Sequence, residues 1–279
     1  MTSPSSLATD VDVAARLSGS DGLLAGTTGA AAAIEVRSLR VRYRRAKADA
    51  LSDIDLQVNE GETVALIGTN GAGKSTLLRC LVRLIEPAGG RIAISGTEVT
   101  GASRTALRAI RCDVGFVFQR YHLIPRLTTF HNVVQGAMGR HGSRCCWPST
   151  SPGDVRHEAM QCLERVGLAA FADRRVDTLS GGQQQRVAIA RMLMQRPRVI
   201  LADEPVASLD PASANGVLEL MSSIAAERGV TVIMALHQIE LALHYADRVI
   251  GLRNGTLEFD QPAADCDAAQ LNPIFAEST

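Results

Sequence analysis

The 279-residue chain is short of several things at once. It has almost no lysine: of 29 basic residues, 27 are Arg, and only Lys47 and Lys74 are Lys. It has no excess charge of either sign, because 29 acidic residues balance the basic ones. A basic footprint for nucleic acid is therefore missing, and 4% aromatics leaves few platforms for stacking bases. No apolar run approaches the roughly 18 residues of a membrane span, so work at a membrane requires recruitment by a partner. The six cysteines (80, 112, 145, 146, 162 and 266) form no CxxC pair. Adjacent Cys145 and Cys146 suit neither a metal nor an unstrained disulfide, so reduced cytosolic thiols are expected.

Hydrophobic residues make up 46% of the chain, enough for a large core and too many for global disorder. Residues 1–33 are rich in Ser, Thr, Ala, Gly and Asp without periodicity, and read as a flexible N-terminal tail. Leu23 to Ile34 resembles a signal-peptide apolar stretch, but Asp10, Asp12 and Asp21 stand where positive charge belongs, so export is not expected. Alternating segments at 34–43 and 53–58 suit half-buried antiparallel strands. Continuous apolar runs at 63–67, 198–202 and 230–236 suit buried parallel strands. Shorter strands are expected at 91–95, 247–252 and 256–259, the last two around the turn Asn254-Gly255. Residues 77–85 and most of 128–195 read as helix. Strands alternating with helices predict an α/β fold with a mostly parallel sheet, interrupted by a central helical block.

Residues 68–76 read GTNGAGKST and fit G-x-x-x-x-G-K-[ST] between a buried strand and an apolar helix. Gly68, Gly71 and Gly73 let backbone amides turn inward around phosphate oxygens, and the helix N-terminus adds partial positive charge. Lys74 supplies a compact ammonium, a role the planar Arg fork fills poorly. That one of two lysines in an Arg-dominated chain falls here marks a specific need. Ser75 is placed to ligate Mg²⁺. The cradle alone leaves a small-molecule kinase open, whereas a GTPase would usually carry N-K-x-D, and no Asn here is followed by Lys.

Residues 179–183 read LSGGQ, followed by QQRVAIAR. With the cradle before it and VILADE (199–204) after it, the chain resembles the ATP-binding subunits of ABC transporters over residues 34 to about 262. The resemblance implies a P-loop NTPase core with an N-terminal antiparallel β subdomain. It also implies an inserted α-helical signature subdomain at about 113–190 and a C-terminal tail at 263–279. It implies ATP as the nucleotide with Mg²⁺, bound by Gly68, Thr69, Asn70, Gly71, Ala72, Gly73, Lys74, Ser75 and Thr76. Ser180, Gly181, Gly182 and Gln183 would complete the site of a second copy, where ATP joins a head-to-tail homodimer. Asp203 would hold the metal, with Ser75 and Gln119. Glu204 matches the general base, Gln119 the γ-phosphate sensor, His237 the switch histidine and Asp210 the aspartate crossing the dimer interface. Tyr43, 25 residues before Gly68, matches the aromatic that stacks on adenine. Read without the family, His237 also suits a structural strand end and Tyr43 a core aromatic.

One motif set and no span imply a separate integral-membrane permease. The segment 119–129 is its expected seat, through Leu123, Ile124 and Leu127, unless these pack inside the helical subdomain. EPVASLDP (204–211), residues 236–255 and residues 116–140 look most like phosphonate importers, and importers of phosphite or phosphate-like anions share such features. The expectation is an ATPase on the cytoplasmic face of the cell inner membrane. It would work indirectly with a periplasmic or extracellular solute-binding protein and without nucleic acid. Alternatives are an export or lipoprotein-release ATPase, a soluble mechanochemical ABC ATPase, and a non-hydrolysing scaffold. Residues 140–157, with Pro148, Pro152, Gly153 and the only Trp, Trp147, fit the subfamily less well and read as a loop.

Overall fold

A computed structural model describes residues 32–44, 46–146 and 150–275. The expected N-terminal tail lies almost wholly outside them, as do Trp147 and Pro148; Ala32 and Ala33 already belong to the first strand. One sheet is antiparallel, with order β2 (Leu51–Asn59), β1 (Ala32–Val41), β4 (Gly89–Ile94) and β5 (Thr97–Glu98). The second has order β10 (Thr256–Pro262), β9 (Arg248–Arg253), β3 (Thr63–Ile67), β8 (Thr231–Ala235), β7 (Val199–Asp203) and β6 (Val114–Val117). All its neighbours run parallel except β10, which returns on β9 beyond Asn254-Gly255.

The central strands are apolar throughout because both faces are covered. Along β3, Ala65 and Ile67 join one core while Val64 and Leu66 join the other. The same alternation divides Ile200 and Ala202 from Val199 and Leu201, and Val232 and Met234 from Ile233 and Ala235. One core lies toward the antiparallel sheet, α1 (Lys74–Leu81) and α2 (Arg104–Asp113). The other takes in α3 (Thr129–Val134), α5 (Gly153–Arg165), α6 (Gly181–Met194) and α7 (Pro211–Arg228). Among the described residues the other α-helices are α4 (Met138–His141), α8 (Ile239–Tyr245) and α9 (Ala268–Phe275).

Three boundaries are corrected. Residues 113–190 are not all helical subdomain, since Val114–Val117 pair in register with Val199–Ala202 as an edge strand of the main sheet. The lobe built of α3, α5 and α6 begins near Thr129, and α6 runs on to Met194. Residues 263–275 are not a free tail: α9 packs against β9, with Leu271 and Ile274 buried in the core. Ile274 sits where Gly251 has no side chain; a Cβ there would lie 2.5 Å from its Cδ1. Finally, the 140–157 stretch is only partly loop, because α4 ends at His141 and α5 starts at Gly153. Among the described residues no helix is long and apolar enough to cross a membrane.

Candidate functional site

The chemistry-bearing residues gather at the C-terminal ends of four adjacent strands, β3, β8, β7 and β6, where open parallel sheets place ligand sites. The loop after β3 is the glycine-rich turn. Gly68 has φ +147°, and a Cβ there would lie 2.2 Å from the Leu252 carbonyl oxygen, so only glycine lets the chain leave β3. Gly73, at φ +109°, closes the turn against Leu51 and Ala50 and directly precedes α1. Lys74 is buried, and its Nζ donates to the carbonyls of Gly68 (2.7 Å) and Thr69 (3.1 Å), which aims the ammonium back into the loop. Burial lowers its pKa, while the negative charges of Glu204 and Asp203 raise it in part. An ammonium enclosed here without full hydration gains from an added anion. Thr69, Asn70 and Ala72 complete the turn, with Ala72 N donating to Thr69 O at 3.2 Å.

Asp203 ends β7 with its side chain 1% exposed. Its Oδ1 accepts from the Ser75 hydroxyl at 2.6 Å and its Oδ2 from Arg79 at 2.9 Å. Ser75 and Asp203 thus set two hard oxygens side by side at the foot of the cradle, a donor pair that fits Mg²⁺. Among the described residues no three His, Cys, Asp or Glu side chains converge for a metal. Two protein oxygens completed by nucleotide phosphate and water suit a cation that keeps part of its hydration.

Glu204 follows in left-handed backbone, φ +52°, a conformation costly for a non-glycine residue and typical of functional sites. Its Oε2 accepts from Gln119 Nε2 at 2.6 Å, and its Oε1 lies 2.5 Å from His237 Nε2. Three residues from beyond β6, β7 and β8 therefore meet on one carboxylate. Gln119 was expected among the metal ligands; here its amide is spent on Glu204 rather than on the Ser75–Asp203 pair.

Tyr43 is 44% exposed, and its hydroxyl meets Thr76 Oγ1 at 3.0 Å, which places this half-exposed aromatic beside the cradle. Ser180 caps α6: its Oγ accepts from Gln183 N at 3.3 Å, and Gln183 Oε1 accepts from Ser180 N at 3.0 Å. This capping box uses the Gln183 side chain but leaves the Ser180 hydroxyl proton free to donate. Gly181 and Gly182 form the first turn of α6. Asp210 caps α7, accepting from Ser213 N at 3.0 Å; bonding to Ser213 holds its carboxyl below the usual range. Among the described residues no hydrogen bond ties Ser180 to Gln183, or Asp210, to the cradle of the same chain. Sequence reasoning missed Arg79; as one arginine among 27 it carried no signal.

A family profile described as ABC transporter matches residues 51–207, more than half of the chain. The chain belongs to the ABC transporter family. A "Phosphonates import ATP-binding protein PhnC" of Nocardia farcinica is 49% identical over 226 residues, 81% of this chain and 84% of the relative. A "Phosphate-import ATP-binding protein PhnC" of Mycolicibacterium smegmatis is 50% identical over 226 residues, 81% of this chain and 86% of that one. Among solved structures, "Dimeric structure of a post-hydrolysis state of the ATP-binding cassette MJ0796 bound to ADP and Pi" superposes with a TM-score of 0.74 at 34% identity. It covers 82% of this chain and 98% of that one. The expected fold class is borne out. The chain is an ABC cassette that binds and hydrolyses ATP, of a family that dimerises and works with membrane permeases.

Proposed function

We propose that this cassette powers import of phosphonates or related phosphorus oxyanions from the cytoplasmic face of a membrane. ATP would lie on the Gly68–Thr76 loop with its base against Tyr43 and its phosphates on Lys74 and the amides at the head of α1. Ser75 and Asp203 would hold Mg²⁺, which when bound offsets the charge of the phosphates. Glu204 accepts the proton of the attacking water, with Gln119 and His237 fixing its two oxygens. Ser180, Gly181 and Gly182 would face the γ-phosphate of a second copy, and Asp210 would cross between copies. The observation that carries the ATPase reading is the Gln119–Glu204–His237 cluster beside the Ser75–Asp203 pair.

A permease would seat near the loop that carries Gln119. A cavity of about 830 Å³ opens between the turn after α1, α2, β6 and the helical lobe, lined in part by Phe116, Phe118, Leu84 and Met138. Leu84 and Met138 are exposed, as are Ile124 and Leu127 on the neighbouring loop, whereas Leu123 packs against the core. This supports a docking role for Ile124 and Leu127 and the inward one for Leu123. Substrate choice would rest with a solute-binding protein outside the membrane. The phosphate-import name of the M. smegmatis relative favours a second reading, phosphate as cargo. ATP-driven uptake by the reconstituted transporter, offered a phosphonate and phosphate in competition, decides between them. ATPase activity stimulated by nucleic acid and indifferent to any permease would overturn both.

A further inference from the structure

We propose that Arg79 is a positioning residue for the magnesium site. It rests on the reading of Ser75 and Asp203 as the cation's oxygens. Asp203 is almost fully buried, and its carboxylate has two bonds, made by two residues of one helix. Ser75, in the first turn of α1, takes Oδ1, and Arg79, in the last turn, takes Oδ2. Four residues apart, about one turn of the same helix, they hold the two oxygens of the carboxylate and fix its plane. With Oδ2 occupied, the carboxylate cannot swing, and Oδ1 stays on the side of Ser75 and the cradle. The guanidinium also offsets a charge that would otherwise stand buried on one hydroxyl bond.

A basic residue in the last turn of α1 has an ordinary use, because it faces the negative end of the helix. That use needs no partner on β7, however, and is served by a side chain lying in solvent. Arg79 is instead drawn to a strand 124 residues away in sequence, onto the one carboxylate of the metal pair. An arginine near a cation also repels it, which weakens binding. Orientation by an outer-shell partner typically changes metal affinity by about 10–100-fold. The repulsion is softened because Arg79 is half exposed and bonds the far oxygen. Orientation should therefore win.

The test compares the full chain with Arg79→Met and Arg79→Lys. Equilibrium binding of a fluorescent ATP analogue is followed by fluorescence against free Mg²⁺, and again with EDTA. For Arg79→Met the Mg²⁺ needed for half-maximal enhancement should rise about tenfold, binding in EDTA should stay at the parent value, and Arg79→Lys should recover most of the loss. An unchanged Mg²⁺ midpoint, or equal weakening with and without Mg²⁺, overturns the positioning role. A melting curve shows that the variants are folded at the assay temperature; should Arg79→Met not be, Arg79→Gln, which also removes the charge, takes its place with the same expected rise and the same refuting results. If the parent itself binds the analogue with no Mg²⁺ dependence, the reading of the site has failed, not this inference alone.

Discussion

Replacing Glu204 with Gln separates chemistry from architecture. The carboxylate makes two short bonds, 2.6 Å to Gln119 and 2.5 Å to His237, from a left-handed backbone position. Gln has the same shape and the same backbone cost. The Gln119 amide can turn over to offer its carbonyl, and the His237 ring can change tautomer. Two charge-assisted bonds become neutral ones, which should cost about 1–2 kcal/mol of stability. A lost general base removes about 10²–10⁴ in rate, or roughly 3–5 kcal/mol on the barrier. The two effects are therefore distinguishable. Phosphate release by the assembled transporter should fall at least about a hundredfold, with KM for ATP little changed and the ATP-bound dimer persisting on size exclusion. A folded variant releasing phosphate at more than about a tenth of the parent rate would show that Glu204 is not the base.

Gly68→Ala places a Cβ 2.2 Å from the Leu252 carbonyl and should cost at least about 2 kcal/mol in chemical denaturation, whereas Gly71→Ala meets nothing within 4 Å and should cost about 1 kcal/mol through its φ of +83° alone. Equal losses would mean that space is not what demands glycine at 68. Ser180→Asp retains an oxygen to cap α6 and should melt like the parent, yet its charge would repel a γ-phosphate and abolish dimer-dependent ATPase activity; retained activity would place the tip away from nucleotide. Burial and Glu86 push the Cys80 thiol up to about 12, and burial and Glu158 push Cys162 up to about 11. Both should resist alkylation at pH 8 until the chain unfolds, as mass spectrometry can show. Because these pKa values are higher folded than unfolded, their contribution to stability is complete below about pH 8.5 and declines as pH rises toward 11–12.

Most of the sheet was legible because burial on both faces writes itself as an unbroken apolar run. TVALI coincides with β3, and VILAD and TVIMA with β7 and β8, within a residue of the expected runs. β6 escaped notice since VGFV is only four residues long and follows helix α2 without a turn signal. α9 was hidden for a different reason. Its sequence, AAQLNPIF, contains Pro273 and little periodicity, and the helix is held by two buried side chains, Leu271 and Ile274, the latter beside Gly251. The meeting of Gln119, Glu204 and His237 could not be read from spacing. They are 85 and 33 residues apart, and only the strand order β8-β7-β6 brings their loops together.

The residues assigned to a second copy have a common feature that bears on how such a pair would close. Ser180 and Asp210 each cap a helix, α6 and α7, with side-chain bonds already formed. A cap fixes its own loop, so the tip that would meet nucleotide is ordered before any arrives, and closure has little local ordering entropy to overcome. Tyr121 adds a tie between the two tips' neighbourhoods and the loop after β6: its hydroxyl is 3.1 Å from Ser208 Oγ, and it lies 3.5 Å from where a Cβ on Gly181 would stand. Its carbonyl, and that of His122, accept from the guanidinium of Arg191 near the far end of α6. A displacement of the 119–129 loop by a docked permease would thus be felt at both ends of α6 as movement of a preformed body. Coupling between cargo and ATP then needs no refolding of the site, only a change in where a rigid tip points.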